Sequence, residues 1–504
     1  MININDFIET IQKYIDDNHL VDARELLDKC MLNNADICNT AVFKYYEAAV
    51  FYYMEDYANS LYWADQAFLT DKDFEPVHEI IRLLTEYEGD MQLYNPQYVS
   101  DISSIRKPLN ILMFMTEIEI MNHHVRMFKD LFSNLGHKVY VVPAVELKQK
   151  VKIINGYLLN KIDFIFYFNN TGLITSDGIS ISEQTGIPTY NYLFDSPTCF
   201  VNECKMQGKG DHVSCVDRKQ VEFVKRFFPK LRNKTFFFPL EGQMPVGVIK
   251  KSWDERSIEA LYVGGLKFST PPDDGFSRTI LDYMLTHTDK NYEESVEECV
   301  NGLSKEELNI LLGSLDTKQD KTKGITDDIL VEIMGKYRLI DSNVYSIFRM
   351  QLVLTLVKAG IDVVVYGGGW EDPELMSYPN FHLMGYISQN ECVEKMCDTK
   401  FVLNGMPWFK DGAHDRVYNA MLCGAVSVTD PSIFLKEQYT DMRDLLYFDL
   451  DNISEVVGKM RYLEENPEIA EMISNNGFQK TVLEHTYSAG VLRFMNKFFD
   501  DTEM

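Results

Sequence analysis

Apolar and polar positions along the chain follow two successive rhythms. From residue 1 to about residue 90 the apolar positions recur every three or four residues, and no alternating strand pattern is present. This predicts helices only. Two stretches echo each other, HLVDARELLDKCML from His19 and DYANSLYWADQAFL from Asp56, at an offset of 37 residues. In register they set Ala23 against Ser60, Leu27 against Ala64, Cys30 against Ala67 and Leu32 against Leu69. The offset is near the roughly 34 residues of a tetratricopeptide repeat. Small residues at inner positions let paired helices approach closely. We expect a helical-repeat module over 1–94, with a generic helical bundle as the other reading. Repeats of this kind bury their faces only by stacking on something else. Asn, Pro and Ser between Asn95 and Arg106 signal a linker.

The second rhythm is a series of short apolar runs alternating with amphipathic stretches. LNILMFM (109–115), HKVYVVP (137–143), DFIFYFN (163–169), PTYNYLFD (188–195), HVSCVD (212–217) and TFFFP (235–239) read as buried parallel strands. The stretch MNHHVRMFKDLFSNLG between the first two is an amphipathic helix closed by Gly136. A second series starts at IEALYVGG (258–265), pauses over a charged helical insertion at 268–343, and resumes. Its later strands are IDVVVYGGGW, FHLMGYIS, KFVLNGM, AVSVTD and LLYFDLD, and the tail is helical. The pattern predicts an α/β protein with two facing Rossmann-like domains at 107–250 and 256–480, then a C-terminal helix at 481–504. Doubly wound sheets bind ligands at the carboxyl ends of their strands, so a ligand would sit between the halves.

Charge narrows the function. The net charge is −27, from 76 acidic and 49 basic residues, which disfavours a nucleic-acid groove or docking on anionic lipid. It leaves room for a small basic site facing an anionic substrate. The nine cysteines form no C-x-x-C pair, and Cys30, Cys215 and Cys423 lie in apolar runs, as buried free thiols would. The N-terminus is polar and acidic, and no run reaches the length of a membrane span. We therefore expect a cytoplasmic protein.

Four elements of the second half, YVGGL, VVVYGGGW, FHLMGYISQNECVEKMCDTKFVLN and HDRVYNAMLCGAVSVTD, stand in the order and spacing of the C-terminal domain of GT-B glycosyltransferases. The last of them, with YNYLFDSP in the first half, resembles the CgeB-like (spore-maturation-like) group. The resemblance covers about 107–500. It implies a hexosyltransferase-type enzyme, bacterial by likeness, that moves a sugar from a nucleotide sugar, such as a UDP-sugar, to a protein or glycan acceptor. The first half would bind the acceptor, and the helical module would engage a protein partner.

A nucleotide-sugar diphosphate needs backbone N–H groups at helix N-termini and nearby cations. Gly264 and Gly265 with Lys267, the trio Gly367, Gly368 and Gly369, and the helix start at His414 and Arg416 are candidates. Each glycine also has the plain reading of a tight turn, Arg416 that of a salt bridge and His414 that of a helix N-terminal contact. The resemblance implies that the loop Gly385, Tyr386, Ile387 and Ser388 contacts the base through its backbone edge. Many retaining relatives carry two Glu residues separated by seven others. The matching positions here are Asp411, toward the sugar, and Asn419, toward the ribose, and this departure weakens a retaining assignment.

An inverting enzyme needs a base near the acceptor hydroxyl. Asp195 is the first candidate and His123 the second, ahead of Glu117, Glu119 and His124. Asp430 reads as a turn closer. Asp449-Leu450-Asp451 follows an apolar run and is not read as a metal motif. Zinc spacing and a P-loop are both absent. We expect no metal or other cofactor, with helix dipoles and cations stabilising the leaving diphosphate. A nucleotide-sugar epimerase or phosphorylase on the same scaffold, and a catalytically inactive scaffold, are the alternatives.

Overall fold

The computed structural model describes residues 4–85 and 108–502, apart from 34, 39, 55, 56, 72, 146, 159, 173–178, 246–250 and 317–318. The expected linker Asn95–Arg106 lies outside the described residues. The chain divides into two compact units, Met1–Leu109 with Asp130–Lys138, and Asn110–Lys129 with Val139–Met504.

The first unit is helical over Ile4–Asp16, Leu20–Asn33, Ala35–Cys38, Ala41–Tyr53, Tyr57–Thr70 and Glu75–Thr85. Thr40 caps the fourth helix by accepting the Phe43 N–H at 3.2 Å. The small residues matched in sequence, Ala23, Cys30, Ser60, Ala64 and Ala67, are all fully buried, and Ser60 Oγ donates to the Ala48 carbonyl at 2.8 Å. Phe7, Ile11, Leu27, Phe43 and Val50 pack around Ala23 and Cys30. The side chains of Leu32 and Leu69 lie outside those described.

The second unit holds two six-stranded sheets. The first contains β1 (Asn110–Phe114), β2 (Lys138–Val142), β3 (Phe164–Phe168), β4 (Thr189–Leu193), β5 (Asp211–Cys215) and β6 (Thr235–Phe237), in the order β2-β1-β3-β4-β5-β6. The second contains β7 (Ile258–Val263), β8 (Val363–Tyr366), β9 (Phe381–Leu383), β10 (Thr399–Asn404), β11 (Val426–Thr429) and β12 (Leu446–Tyr447), in the order β12-β11-β10-β7-β8-β9. Every strand pairing described within this unit is parallel. β3 and β4 are buried along their whole length, as their unbroken apolar runs require. This is the doubly wound arrangement, present twice.

The insertion after β7 forms the helices Gly275–Thr286, Tyr292–Asn301, Lys305–Gly313 and Asp327–Tyr337, and the chain then enters the crossover helix Leu339–Lys358. Its Ile280, Val296, Ile329 and Ile333 share one core with Leu193, Val213 and Val221 of the first domain. Arg226 reaches Glu297 and Asp327, each at 2.8 Å, and Lys219 reaches Glu294 at 2.7 Å. The insertion therefore ties the two Rossmann-like domains together.

The backbone crosses between domains near Gly242 and returns near Thr486. The Gly242 N–H donates to the His485 carbonyl at 2.8 Å and the Tyr487 N–H to the Gly242 carbonyl at 3.0 Å. A Cβ on Gly242 would lie 2.4 Å from Leu422 Cδ1, so glycine permits this crossing. The last helix, Tyr487–Thr502, lays Phe494 against Phe164, Phe166 and Tyr190 of the first sheet.

Candidate functional site

The carboxyl ends of β3, β4, β7 and β10 converge on a cleft of about 330 Å³ between the two Rossmann-like domains of the second unit. On the first-domain wall, β3 runs into Asn169 and Asn170 at φ 45° and 61°. Asparagine adopts this left-handed turn more readily than other side chains. Asn169 Oδ1 accepts the N–H groups of Phe194 and Asp195 at 2.8 and 3.3 Å, and its Nδ2 donates to Asp195 Oδ2 at 2.9 Å. Asp195 follows β4 and lines the cleft. The residue is exposed at the cleft, where partial desolvation by the walls pushes its carboxyl up, while Asn169 and the charge of Lys267 pull it down.

His124 also lines this wall. Its Nδ1 lies 2.9 Å from the Ile120 carbonyl and its Nε2 lies 3.3 Å from the Tyr487 hydroxyl. Burial lowers its pKa, so the ring is neutral. His123 stands apart from the cleft lining, with Nε2 3.0 Å from Gln243 Oε1. Glu119 pairs with Arg126, and Glu117 is exposed.

On the second-domain wall, His414 caps the helix Asp415–Leu422. Its Nδ1 lies 2.6 Å from Asp415 Oδ1 and 3.2 Å from the Arg416 N–H. Burial drives the Asp415 carboxyl up, but His414 and Arg416 outweigh it and hold the group well below the usual carboxylate range. Burial lowers His414 despite the adjacent carboxylate. The pair is therefore an ionised Asp415 in close contact with His414, whose pKa burial lowers.

Arg416 donates from Nη1 to Asn404 Oδ1 at 2.7 Å and lies 5.1 Å from the Tyr262 ring centre. Arg349, on the crossover helix, donates from Nη1 to the Gly265 carbonyl at 2.9 Å and lies 4.5 and 5.0 Å from the rings of Tyr345 and Trp408. Both guanidinium groups are buried, and among the described residues neither forms a salt bridge. Aromatic faces and carbonyls hold these cations. Arg416 lines the cleft beside the ionised Asp415, whereas Arg349 is not among the cleft-lining residues.

The glycines of the two strand ends lie against each other. Gly264 has φ +143°, and a Cβ there would stand 2.9 Å from Arg416 Nη2. The Gly264 N–H donates to the Tyr366 carbonyl at 2.8 Å and the Leu266 N–H to the Gly368 carbonyl at 2.9 Å. Gly367 has φ +138°, and a Cβ there would fall 2.6 Å from the Gly264 backbone. Gly385 accepts the Gly367 N–H at 2.7 Å. Tyr386 is 86% exposed, and its hydroxyl would lie 2.3 Å from a Cβ on Gly368. Ile387 packs against the Val402 cluster. The Lys267 N–H donates to Ser346 Oγ at 2.9 Å, and its side chain is exposed.

Asp411 is not among the cleft-lining residues. Its N–H donates to Asp217 Oδ2 at 2.8 Å, and its carboxylate lies 3.4 Å from Arg218 Nη1, across the domain junction. Asn419 lines the cleft, but its Oδ1 accepts the Gln243 N–H at 2.7 Å. Asp430 accepts the Met406 N–H at 2.7 Å, and burial pushes its carboxyl to about 6. Asp449 accepts the Asp451 N–H at 2.9 Å in a turn, and the described residues hold no group of three His, Cys, Asp or Glu placed for a metal. Sequence reasoning missed Asn169, Arg349, Trp408 and Asp415. The Asn-Asn pair after a strand and the His-Asp neighbours were available signals; for Arg349 and Trp408 there was none.

Residues 349–496 match the family model described as Glycosyl transferase-like. That segment carries Arg349, Trp408, His414, Arg416 and Asn419. No curated protein matches the chain. Among solved structures, the sucrose-phosphate synthase of Thermosynechococcus elongatus is 10% identical with a TM-score of 0.46, covering 78% of this chain and 99% of that one. A glycosyltransferase from Rickettsia africae is 9% identical with a TM-score of 0.45, covering 79% and 99%. HepE of Anabaena, in complex with UDP and glucose, is 11% identical with a TM-score of 0.43, covering 78% and 100%. None of these likenesses carries a residue role to this chain. Among the described residues, no helix is long and apolar enough to cross a membrane.

Proposed function

We propose that this chain is a glycosyltransferase of the CgeB-like kind, moving a sugar from a nucleotide sugar, first of all a UDP-sugar, to an acceptor hydroxyl. The observation that carries the reading is Arg416, a buried guanidinium that lines the cleft without a salt bridge at the start of the helix Asp415–Leu422, with Arg349 buried beside the Gly264–Gly265 strand end. A diphosphate carries negative charge that arginine can meet with two parallel hydrogen bonds. The N-terminus of the helix Asp415–Leu422 adds its dipole.

Asp195 takes the proton from the acceptor hydroxyl. The acceptor oxygen then bonds to the anomeric carbon, and the bond from that carbon to the diphosphate oxygen breaks. The electron pair leaves on the diphosphate, where Arg349 and Arg416 stabilise it without a metal. His414, held by Asp415, orients the donor. The loop from Gly385 to Ser388 meets the base, and the helical module, read as tetratricopeptide-like, engages a protein partner.

One observation favours the inactive-scaffold reading. Asn419 is neutral at the expected ribose position and already accepts the Gln243 N–H. Incubation of the full chain with UDP-sugars in EDTA separates the two readings. Transfer of the sugar to an added acceptor with release of UDP, lost in Asp195→Asn, supports the transferase. Stable UDP binding without any turnover supports the scaffold.

A further inference from the structure

Asp195 stands on the first domain, while His414 and Arg416 stand on the second. A contact between the domains must therefore set the distance from the base to the donor. A misplacement of about 1 Å can cost on the order of 10²-fold in rate. The turn that carries Asp195 is fastened from two directions. From within the first domain, Asn169 Oδ1 holds the Phe194 and Asp195 N–H groups. From the insertion after β7, Glu293 reaches the next residue: Ser196 Oγ donates to Glu293 Oε1 at 2.8 Å, across 97 residues of chain. The same hydroxyl accepts the Thr198 N–H at 3.3 Å and lies 2.8 Å from Thr198 Oγ1, capping the short turn Pro197–Phe200. One hydroxyl thus joins the Asp195 turn to the insertion.

Glu293 is placed for this by its helix. The helix Tyr292–Asn301 opens with a reciprocal cap, in which Asn291 Oδ1 accepts the Glu294 N–H at 2.8 Å and Glu294 Oε2 accepts the Asn291 N–H at 3.0 Å. The Tyr292 hydroxyl donates to the Met334 carbonyl at 2.7 Å and anchors this turn to the neighbouring helix. Glu293 therefore projects from a fixed first turn. It is buried, and among the described residues no cation pairs with it. A buried carboxyl without a cation costs stability, and proteins keep such costs chiefly at functional sites. Holding the domains together does not require it, because Lys219 with Glu294 and Arg226 with Glu297 already clasp the same helix to the first domain. What Glu293 adds is a contact to the Asp195 turn.

We infer that Glu293 is a positioning residue: through Ser196 it fixes the turn that aims Asp195 at the donor, so the insertion sets the base from the opposite domain. This rests on the transferase reading above, with Asp195 as base. The test is sugar transfer by the full chain from UDP-glucose and UDP-N-acetylglucosamine to methyl glucoside, to a serine-containing peptide or to water. Ser196→Ala and Glu293→Leu should each lower kcat about tenfold and leave the donor KM unchanged. The double variant should be no slower than the slower single, because both remove one contact. Glu293→Gln, whose amide oxygen accepts the same hydrogen bond, should keep kcat within about twofold of the wild type. Arg226→Met, which loosens the clasp without touching the turn, should do the same. Ser196→Ala is read alone should Glu293→Leu not fold. Wild-type kcat in Ser196→Ala, losses that multiply in the double variant, or an equal loss in Glu293→Gln or Arg226→Met overturns the positioning role and leaves the transferase reading standing. A wild type that turns over neither donor overturns both.

Discussion

Asn169 Nδ2 lies 2.9 Å from Asp195 Oδ2, while the same amide's oxygen accepts the Asp195 backbone N–H at 3.3 Å. One side chain thus fixes both the carboxylate and the turn that carries it. The contact also lowers the Asp195 pKa against the upward push of burial. Asn169→Ala removes the lowering contribution, so the carboxyl should rise further. A base works only when deprotonated, so the acid limb of the rate profile should move to higher pH in Asn169→Ala. Asp195→Asn should lower kcat by about 10²–10⁴-fold, the usual range for a lost general base, with UDP affinity retained. Rates across pH 5–9 check both.

Arg416 forms no salt bridge, but it offsets the Asp415 charge and holds Asn404 Oδ1 at 2.7 Å, so its replacement is read for binding and for stability together. A charge-assisted hydrogen bond to an anion contributes roughly 1.5–3 kcal/mol, or about 10–100-fold in affinity. Arg416→Met should weaken UDP binding by that amount and, by leaving Asn404 Oδ1 without its donor, lower Tm modestly. A drop in Tm with unchanged affinity would make Arg416 a purely structural cation.

The two neighbouring glycines should respond differently to alanine. Gly367 has φ +138° and backbone atoms of Gly264 2.6 Å from a new Cβ, so Gly367→Ala should destabilise the fold and lower the soluble yield. At Gly368 the obstructing atom is the far end of the Tyr386 side chain, 2.3 Å away. Gly368→Ala should fold normally and displace Tyr386. Thermal melts and the near-ultraviolet tyrosine signal distinguish them.

Glu293 accepts a hydrogen bond from Ser196 at 2.8 Å, and burial pushes its carboxyl to about 7. An unfolded glutamate titrates near about 4.3. The folded state therefore holds the proton more tightly, and the stability this contributes is full below about pH 4 and is lost as pH rises toward 7. Between pH 5 and 8 the wild type should lose on the order of 2–3 kcal/mol more than Glu293→Gln. Urea midpoints at each pH read this out. Desolvation, with the Glu293 charge beside it, also pushes the Asp341 carboxyl to about 7.

Much of the fold was legible in the sequence because parallel strands buried on both faces leave unbroken apolar runs. PTYNYLFD marks β4, and VVVY before the three glycines marks β8. Helix caps such as Ser388 with Glu391 are local as well. The site was less legible, since a side chain's role depends on what the fold sets beside it. Arg349 lies in a helix whose sequence gives no hint of the Gly265 carbonyl 84 residues away. Asp411 was placed by spacing alone, and its neighbours Asp217 and Arg218 come from the other domain. Asp415 stood next to His414 in plain view, but only the 2.6 Å contact turns adjacent residues into a coupled pair.

The most direct test of the account is calorimetric titration of UDP into the full chain in EDTA, for the wild type, Arg349→Met and Arg416→Met. The account predicts one site in the wild type, independent of divalent ions, and an affinity at least about tenfold weaker in each variant. Undiminished binding in both variants, or no binding by the wild type, would contradict it.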